Sequence, residues 1–265
     1  MLRIYVLAFL VFLYAPILLL PVFAFNDSTV IAFPLNGFTT KWFDELWSNA
    51  ELHAALLNSL FVATVSAVLS VVLGLAAARA NVRYRFPGKA AAMGLIMLPL
   101  VLPEIIVAVS LLVVAVKVFG LGLSLWTVVA AHVLICTPFA IAILNASFQS
   151  LDPSLEEAAV DLGCTRPETF RLITLPLVMP GIVAALLICF TISLDEFIIA
   201  FFLTGSDPTL PVYIWSLLRF PRLIPVVMAL GTILMLVSIT ILILAEWNRR
   251  RGLARAGIKD KGGFL

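Results

Sequence analysis

Charge is what this sequence has least of: 12% of its 265 residues are Asp, Glu, Lys or Arg, while 63% are hydrophobic. A water-soluble domain carries about a quarter charged residues and under about half apolar ones. The polar surface here is too small to cover a globule in water, and the mean hydropathy of +1.15 agrees that the bilayer is the solvent. Histidine is nearly missing, with only His53 and His132, far apart in sequence. That excludes a histidine-built metal or catalytic cluster and leaves each as a capped or core side chain. Cys136, Cys164 and Cys189 have no metal-ligand spacing and are odd in number, which reads as buried, reduced thiols. There is no GxxxxGK[ST] phosphate loop to bind a nucleotide, and no GxSxG or HExxH to equip an intramembrane hydrolase. Gly/Ser linkers, low-complexity tracts and short repeats are absent as well, and the chain reads as one non-catalytic membrane domain with no cofactor of its own.

What is present is long apolar runs. A spanning helix needs about 20 mostly apolar residues, and six runs qualify, at about 4–25, 55–79, 90–118, 125–149, 178–203 and 223–246. The fold class is therefore an all-α polytopic membrane protein with six transmembrane helices. The first run is longer than the roughly 7–15 residues of a cleavable signal's apolar region, so it reads as a retained span. The expected organisation is residues 1–25 as the first transmembrane helix, 26–54 as a periplasmic segment, 55–247 as a five-helix core with a loop at 150–177, and 248–265 as a basic tail. Within 26–54, Thr40 to Trp47 reads as a short amphipathic helix in the interface, with Trp42 and Trp47 at headgroup depth. Pro99 and Pro103 should break the third span, and Pro138, Pro176 and Pro180 should add kinks.

Orientation follows from the basic residues of the short loops. Arg79, Arg83, Arg85 and Lys89 lie between spans two and three, and Arg166 and Arg171 between spans four and five. Arg249, Arg250, Arg251, Arg255, Lys259 and Lys261 fill the tail, against only Lys41, Lys117, Arg219 and Arg222 on the other side. The positive-inside rule then places both termini and the 80–89 and 150–177 loops in the cytoplasm of a multi-pass inner-membrane protein.

The 150–177 loop has the punctuation of a helical hairpin. Asp152 or Ser154 can cap a first helix with Pro153 in its first turn, and Gly163 suits the position after its end. Thr165 can cap a second helix with Glu168 placed for a capping box. Such a knob is what a soluble partner would grip. The series Glu157-Ala158-Ala159, Gly163, Ile173, Leu175 and Pro176 resembles the spaced EAA signature of ABC-importer permeases. The resemblance implies a type I importer permease fold, with this loop seated in a cleft of an ATP-binding subunit. It also implies two such subunits using ATP and Mg on the cytoplasmic side, a second permease, and a periplasmic or extracellular solute-binding protein, with no nucleic acid among the partners.

Three acids, Glu104, Asp195 and Glu196, fall within apolar spans, and nothing basic is evident mid-span to neutralise them. An ionised carboxylate at helix centre costs about 2.5–3.5 kcal/mol on insertion scales, so such groups face a wet path or a partner. Pairing with a basic residue of a neighbouring permease is one reading; lining the path of a cation is the other. Further stretches, Tyr14-Ala15-Pro16, Phe25-Asn26-Asp27-Ser28, Leu102-Pro103-Glu104 and Ser193-Leu194-Asp195-Glu196 among them, resemble spermidine/putrescine importer permeases, most of all the second, C-type permease that pairs with a B-type one. That resemblance implies a cationic polyamine as cargo and a substrate path through Tyr14, Glu104, Asp195 and Glu196, with Glu at positions 104 and 196 where the family pattern mostly has Asp. The alternatives are the same importer with another small solute (an iron complex, a phosphonate, an amino acid derivative), or a self-sufficient secondary transporter or cation channel. The last has no use for an EAA loop.

Overall fold

The computed structural model describes residues 2–255; Lys259 and Lys261, and the side chains of Arg249, Arg250, Arg251 and Arg255, lie outside what it describes. The elements are helical throughout: α1 (Leu2–Ala24), α2 (Lys41–Ser48), α3 (Ala50–Arg83), α4 (Lys89–Met97), α5 (Glu104–Val113), α6 (Leu125–Gln149), α7 (Pro153–Asp161), α8 (Arg166–Thr169), α9 (Leu175–Asp195), α10 (Ile198–Leu203), α11 (Leu210–Leu218) and α12 (Ile224–Arg255). Five helical stretches, Arg3–Ala24, Ala50–Arg83, Leu125–Gln149, Arg166–Asp195 and Pro221–Thr240, are long and apolar enough to cross a membrane. A sixth candidate is the pair Lys89–Leu100 and Glu104–Val118, bent by 104° at the Pro99–Pro103 break.

The contacts divide the chain into two compact units, residues 1–50 with 214–265, and residues 51–213. In the first, α1 packs along α12, and α2 packs on α12. A Cβ on Gly231 of α12 would come within 3.3 Å of Leu20, so the absent side chain lets α1 approach closely. The link from α1 to α2 is tied by the Trp42 indole N–H, which donates to the Asn26 carbonyl at 2.8 Å, and by Phe25 against Phe43 at 5.0 Å between ring centroids. Trp42 corrects an expectation. It is 6% exposed and turned inward, and of the two tryptophans only Trp47, 74% exposed, presents its ring outward as an interfacial anchor would. The amphipathic face of α2 buries Trp42 and Leu46 within the protein.

In the second unit α3, α6 and α9 form the core. Ser66 and Ser70 of α3 donate to the carbonyls of Val129 and Val133 of α6, and Asn81 donates to Asn145. The near-constant offset makes α3 and α6 parallel, so the intervening chain must return to the starting end. The bent pair makes that return, which counts it as the sixth candidate span among the described residues. α9 runs antiparallel to α6: Cys136 and Cys189 are buried free thiols, and each donates to the other's backbone carbonyl. Cys164 is half-buried.

Close approach in this core depends on small residues, as it does between membrane helices generally. A Cβ on Gly74 of α3 would stand 2.6 Å from the Ala140 Cβ and 3.2 Å from the Ala140 carbonyl carbon. Gly74→Ala must therefore push α3 off α6, at a cost of about 1–3 kcal/mol for overpacking. The expected result is a lowered thermal midpoint in detergent, with partial recovery when Ala140→Gly is added. An unchanged midpoint in G74A would contradict this packing.

One span differs from expectation. The fifth was expected at 178–203, but its helix begins at Arg166 and ends at Asp195. It begins early because a π-helical turn, Phe170–Thr174, carries α8 into α9; the looser bonding of such a turn accommodates Pro176, whose ring would clash with a regular helix. It ends early because Glu196 has extended backbone and its side chain starts a new helix, α10. The second helix of the expected hairpin is thus the end of a spanning helix rather than a separate short one.

Candidate functional site

The knob has the local structure its capping residues dictate. Asp152 takes the backbone N–H of Ser154 at 3.0 Å, Pro153 occupies the first turn of α7, and the Ser154 hydrogen bond holds the Asp152 carboxyl below its ordinary range. This cap is therefore present at neutral pH and is lost as pH falls through the lowered value. At the other end Gly163 has φ +93°, a conformation that a side chain would strain. Around it the Cys164 N–H reaches the Ala159 carbonyl at 3.0 Å and the Gly163 N–H reaches Val160 at 2.9 Å, the paired bonds of a Schellman stop. Thr165 then opens α8, with its N–H and hydroxyl both donating to Glu168, at 2.8 and 2.7 Å.

These devices sort the signature residues by face. Glu157, Ala158 and Gly163 are exposed, Pro176 is exposed, Ile173 and Leu175 are half-buried, and Ala159 is buried. Beside the exposed residues stand Leu155, Val160 and Leu162, the last 87% exposed, an apolar patch that the sequence reading did not single out. Behind the knob, Glu156 points inward. Its carboxylate lies 3.0 Å from the Nε of Arg83 on α3 and accepts the Thr174 hydroxyl at 2.5 Å. A cavity of about 710 Å³ opens here between the Arg83 end of α3 and α7, lined by Arg79, Arg83, Arg85, Lys89 and Arg166 together with Glu156, Glu157 and Asp161.

The intramembrane acids are not alike. Glu104 is the first residue of α5, just past the 104° break, and is exposed. Asp195 is the last residue of α9, exposed, and makes no hydrogen bond or ion pair among the described residues. Glu196 is 9% exposed and fully engaged. It accepts the N–H groups of Ile199 and Ala200 at 2.8 and 3.0 Å, capping α10, and its Oε2 stands 3.2 Å from the Nε2 of His132. His132 is fully buried, and its Nδ1 lies 2.7 Å from the Ser193 hydroxyl. The expectation that nothing basic faces these acids is thereby corrected: α6 supplies His132 to Glu196. Tyr14 lies on α1, in the other unit, half exposed. α5, which Glu104 opens, packs on α10, which begins three residues after Asp195.

Residues 70–251 match the family described as binding-protein-dependent transport system inner membrane component. The chain belongs to that family. It is the multi-pass permease subunit of an ABC importer, a non-catalytic component. The permease is 36% identical over 255 residues to the spermidine/putrescine transport system permease protein PotC of Shigella flexneri, covering 95% of this chain and 93% of that one. It is also 36% identical over 231 residues to the putrescine transport system permease protein PotI of Escherichia coli K12, covering 84% and 82%. In fold it is similar to a solved bacterial ABC transporter that imports the acidic polysaccharide alginate, with TM-score 0.73 at 14% identity over 91% of this chain and 93% of that one. A second structure of a bacterial alginate transporter, in complex with an alginate pentasaccharide-bound periplasmic protein, gives TM-score 0.70 at 23% identity, over 95% of this chain and 93% of that one. The permease thus has the type I importer architecture.

Proposed function

We propose that this permease carries a cationic polyamine, in a complex with a second, B-type permease, two cytoplasmic ATP-binding subunits that use ATP and Mg, and a solute-binding protein. The observation that carries the cargo is Asp195, an exposed carboxylate with no partner among the described residues, set at the C-terminal end of a spanning helix. That end already bears partial negative charge from its unpaired carbonyls. A carboxylate added there builds a potential suited to an ammonium group, and helix ends at mid-membrane serve cations in this manner in other transporters. Glu104 at the head of α5 adds a second charge. The identity to PotC and PotI supports the same cargo class.

Both termini and the knob lie on the cytoplasmic side in this reading, with Glu157, Ala158 and Gly163 against the ATP-binding subunit and Ile173, Leu175 and Pro176 shaping the base of α9. The test is ATP-driven uptake of labelled putrescine and spermidine by the reconstituted complex. Uptake of either, competed by the other and not by an anionic solute, is the expected result; uptake indifferent to both would end the polyamine assignment. Glu157→Arg places a cation where a charge-assisted contact is expected and should reduce co-purification of the ATP-binding subunits about tenfold. Unchanged co-purification and unchanged uptake in E157R would remove the docking role.

A further inference from the structure

Glu157 is exposed, but its neighbour Glu156 reaches the membrane helices, and a docked helix can move a span only through such an inner contact. Three separate elements meet at the Glu156 carboxylate. Arg83 comes from the last turn of α3, Thr174 from the end of the π-helical turn that opens into α9, and Glu156 itself from α7. Arg83 also donates from Nη2 to the Leu151 carbonyl at 3.4 Å, holding the chain just before α7. One turn earlier on α3, Arg79 stacks over the Phe170 ring at 4.3 Å, the first residue of the same π-helical turn. The Arg83 and Glu156 side chains are 17% and 19% exposed, shielded enough for the pair to hold at physiological salt.

We propose that Arg83, Glu156 and Thr174 form a transmission clamp, positioning residues that convert movement of the coupling helix α7 into movement of α3 and α9 together. A carboxylate shared by a guanidinium and a hydroxyl fixes α7 in two directions, and two directions are what a lever needs to turn rather than slide. Without the clamp, α7 keeps its own caps and the packing of buried Ala159, but loses its charged tie to α3. The π-helical turn gives the site a second mark, since such turns inside helices concentrate at functional positions. The inference rests on α7 being the helix that docks, and goes beyond it by assigning residues that do not touch the partner.

The experiment uses the complete reconstituted complex and reads three quantities: ATP-binding subunits retained, ATP hydrolysed, and cargo moved per ATP. Glu156→Gln and Thr174→Val, both close in size to the native side chains, should retain the subunits and the hydrolysis while cargo moved per ATP falls about tenfold, the scale expected for mutations along a coupled network. Arg83→Glu should behave alike, and the exchanged pair R83E/E156R should recover much of the lost ratio. Arg83→Lys, which keeps the charge, should fall between and shows that the assembly tolerates change at this position. A ratio unchanged in E156Q and T174V would overturn the clamp, as would an exchanged pair no better than R83E. Loss of the ATP-binding subunits in E157R together with an unchanged ratio in E156Q would keep the docking role and sink the clamp alone. Subunits retained in full by E157R would sink the docking role instead.

Discussion

Asp195→Asn is expected to cut polyamine uptake by about a hundredfold while leaving the amount of permease in the membrane unchanged. The substitution keeps the size of the side chain and removes only its charge. In the folded chain that carboxylate accepts nothing and pairs with nothing among the described residues, so stability loses little when it goes. What goes is the counter-charge for an ammonium group that sheds water as it binds. Truncating one partner of a desolvated charge pair costs about 2–5 kcal/mol, and about 1.4 kcal/mol is tenfold in affinity. Glu104→Gln should cost less, because an acid at the first turn of α5 is already stabilised by the helix N-terminus and gives the cargo a weaker net field. Asp195→Glu, with charge retained on a longer arm, should recover part of the uptake and shift preference between putrescine and spermidine. The measurement is initial uptake rate against cargo concentration, normalised to permease in the membrane. Uptake within about twofold of the parent in D195N would place the cargo's charge elsewhere.

The same charge logic read from sequence alone treated Glu104, Asp195 and Glu196 as one group, and it is instructive why it could not separate them. Hydropathy and sequence spacing are alike for Asp195 and Glu196; what differs is the break between α9 and α10, and that break is made by Glu196 itself through bonds to Ile199 and Ala200. No Gly or Pro marks it. The proline-marked break at Pro99–Pro103 was legible because its cause is local and written in residue type. The knob was legible for the same reason: Asp152, Pro153, Gly163, Thr165 and Glu168 each act within a few residues of themselves. Arg83 was not. Its sequence neighbours are basic loop residues, and its charge counts toward orientation; that it turns back to Glu156 depends on α3 and α6 being parallel, a fact of packing. His132 hid likewise, since a lone histidine in an apolar run has no local pattern, and its partners Ser193 and Glu196 come from the antiparallel helix and its broken end.

Glu196→Ala should do the opposite of Asp195→Asn: the permease itself should be lost. Alanine leaves the Ile199 and Ala200 N–H groups without an acceptor in a site where water does not reach, since both residues are fully buried. Each orphaned buried donor costs about 1–3 kcal/mol, and a lost cap alone about 1 kcal/mol. His132, fully buried, loses at the same stroke the carboxylate that stands 3.2 Å from its Nε2. Domains hold together by about 5–15 kcal/mol, so a combined loss of this size should empty the membrane of folded protein at growth temperature. Glu196→Gln keeps one acceptor oxygen and should be intermediate, folded but lowered in thermal midpoint. His132→Ala should resemble E196Q in stability, because the α10 cap survives while Ser193 and Glu196 lose a shared partner. The measurement is permease abundance in membranes and unfolding in detergent, followed by uptake per folded molecule. Per folded molecule, E196Q should transport at close to the parent rate. If it is stable and yet silent, Glu196 serves the cargo path alongside Asp195, and the division between the capping acid and the cargo acid is wrong.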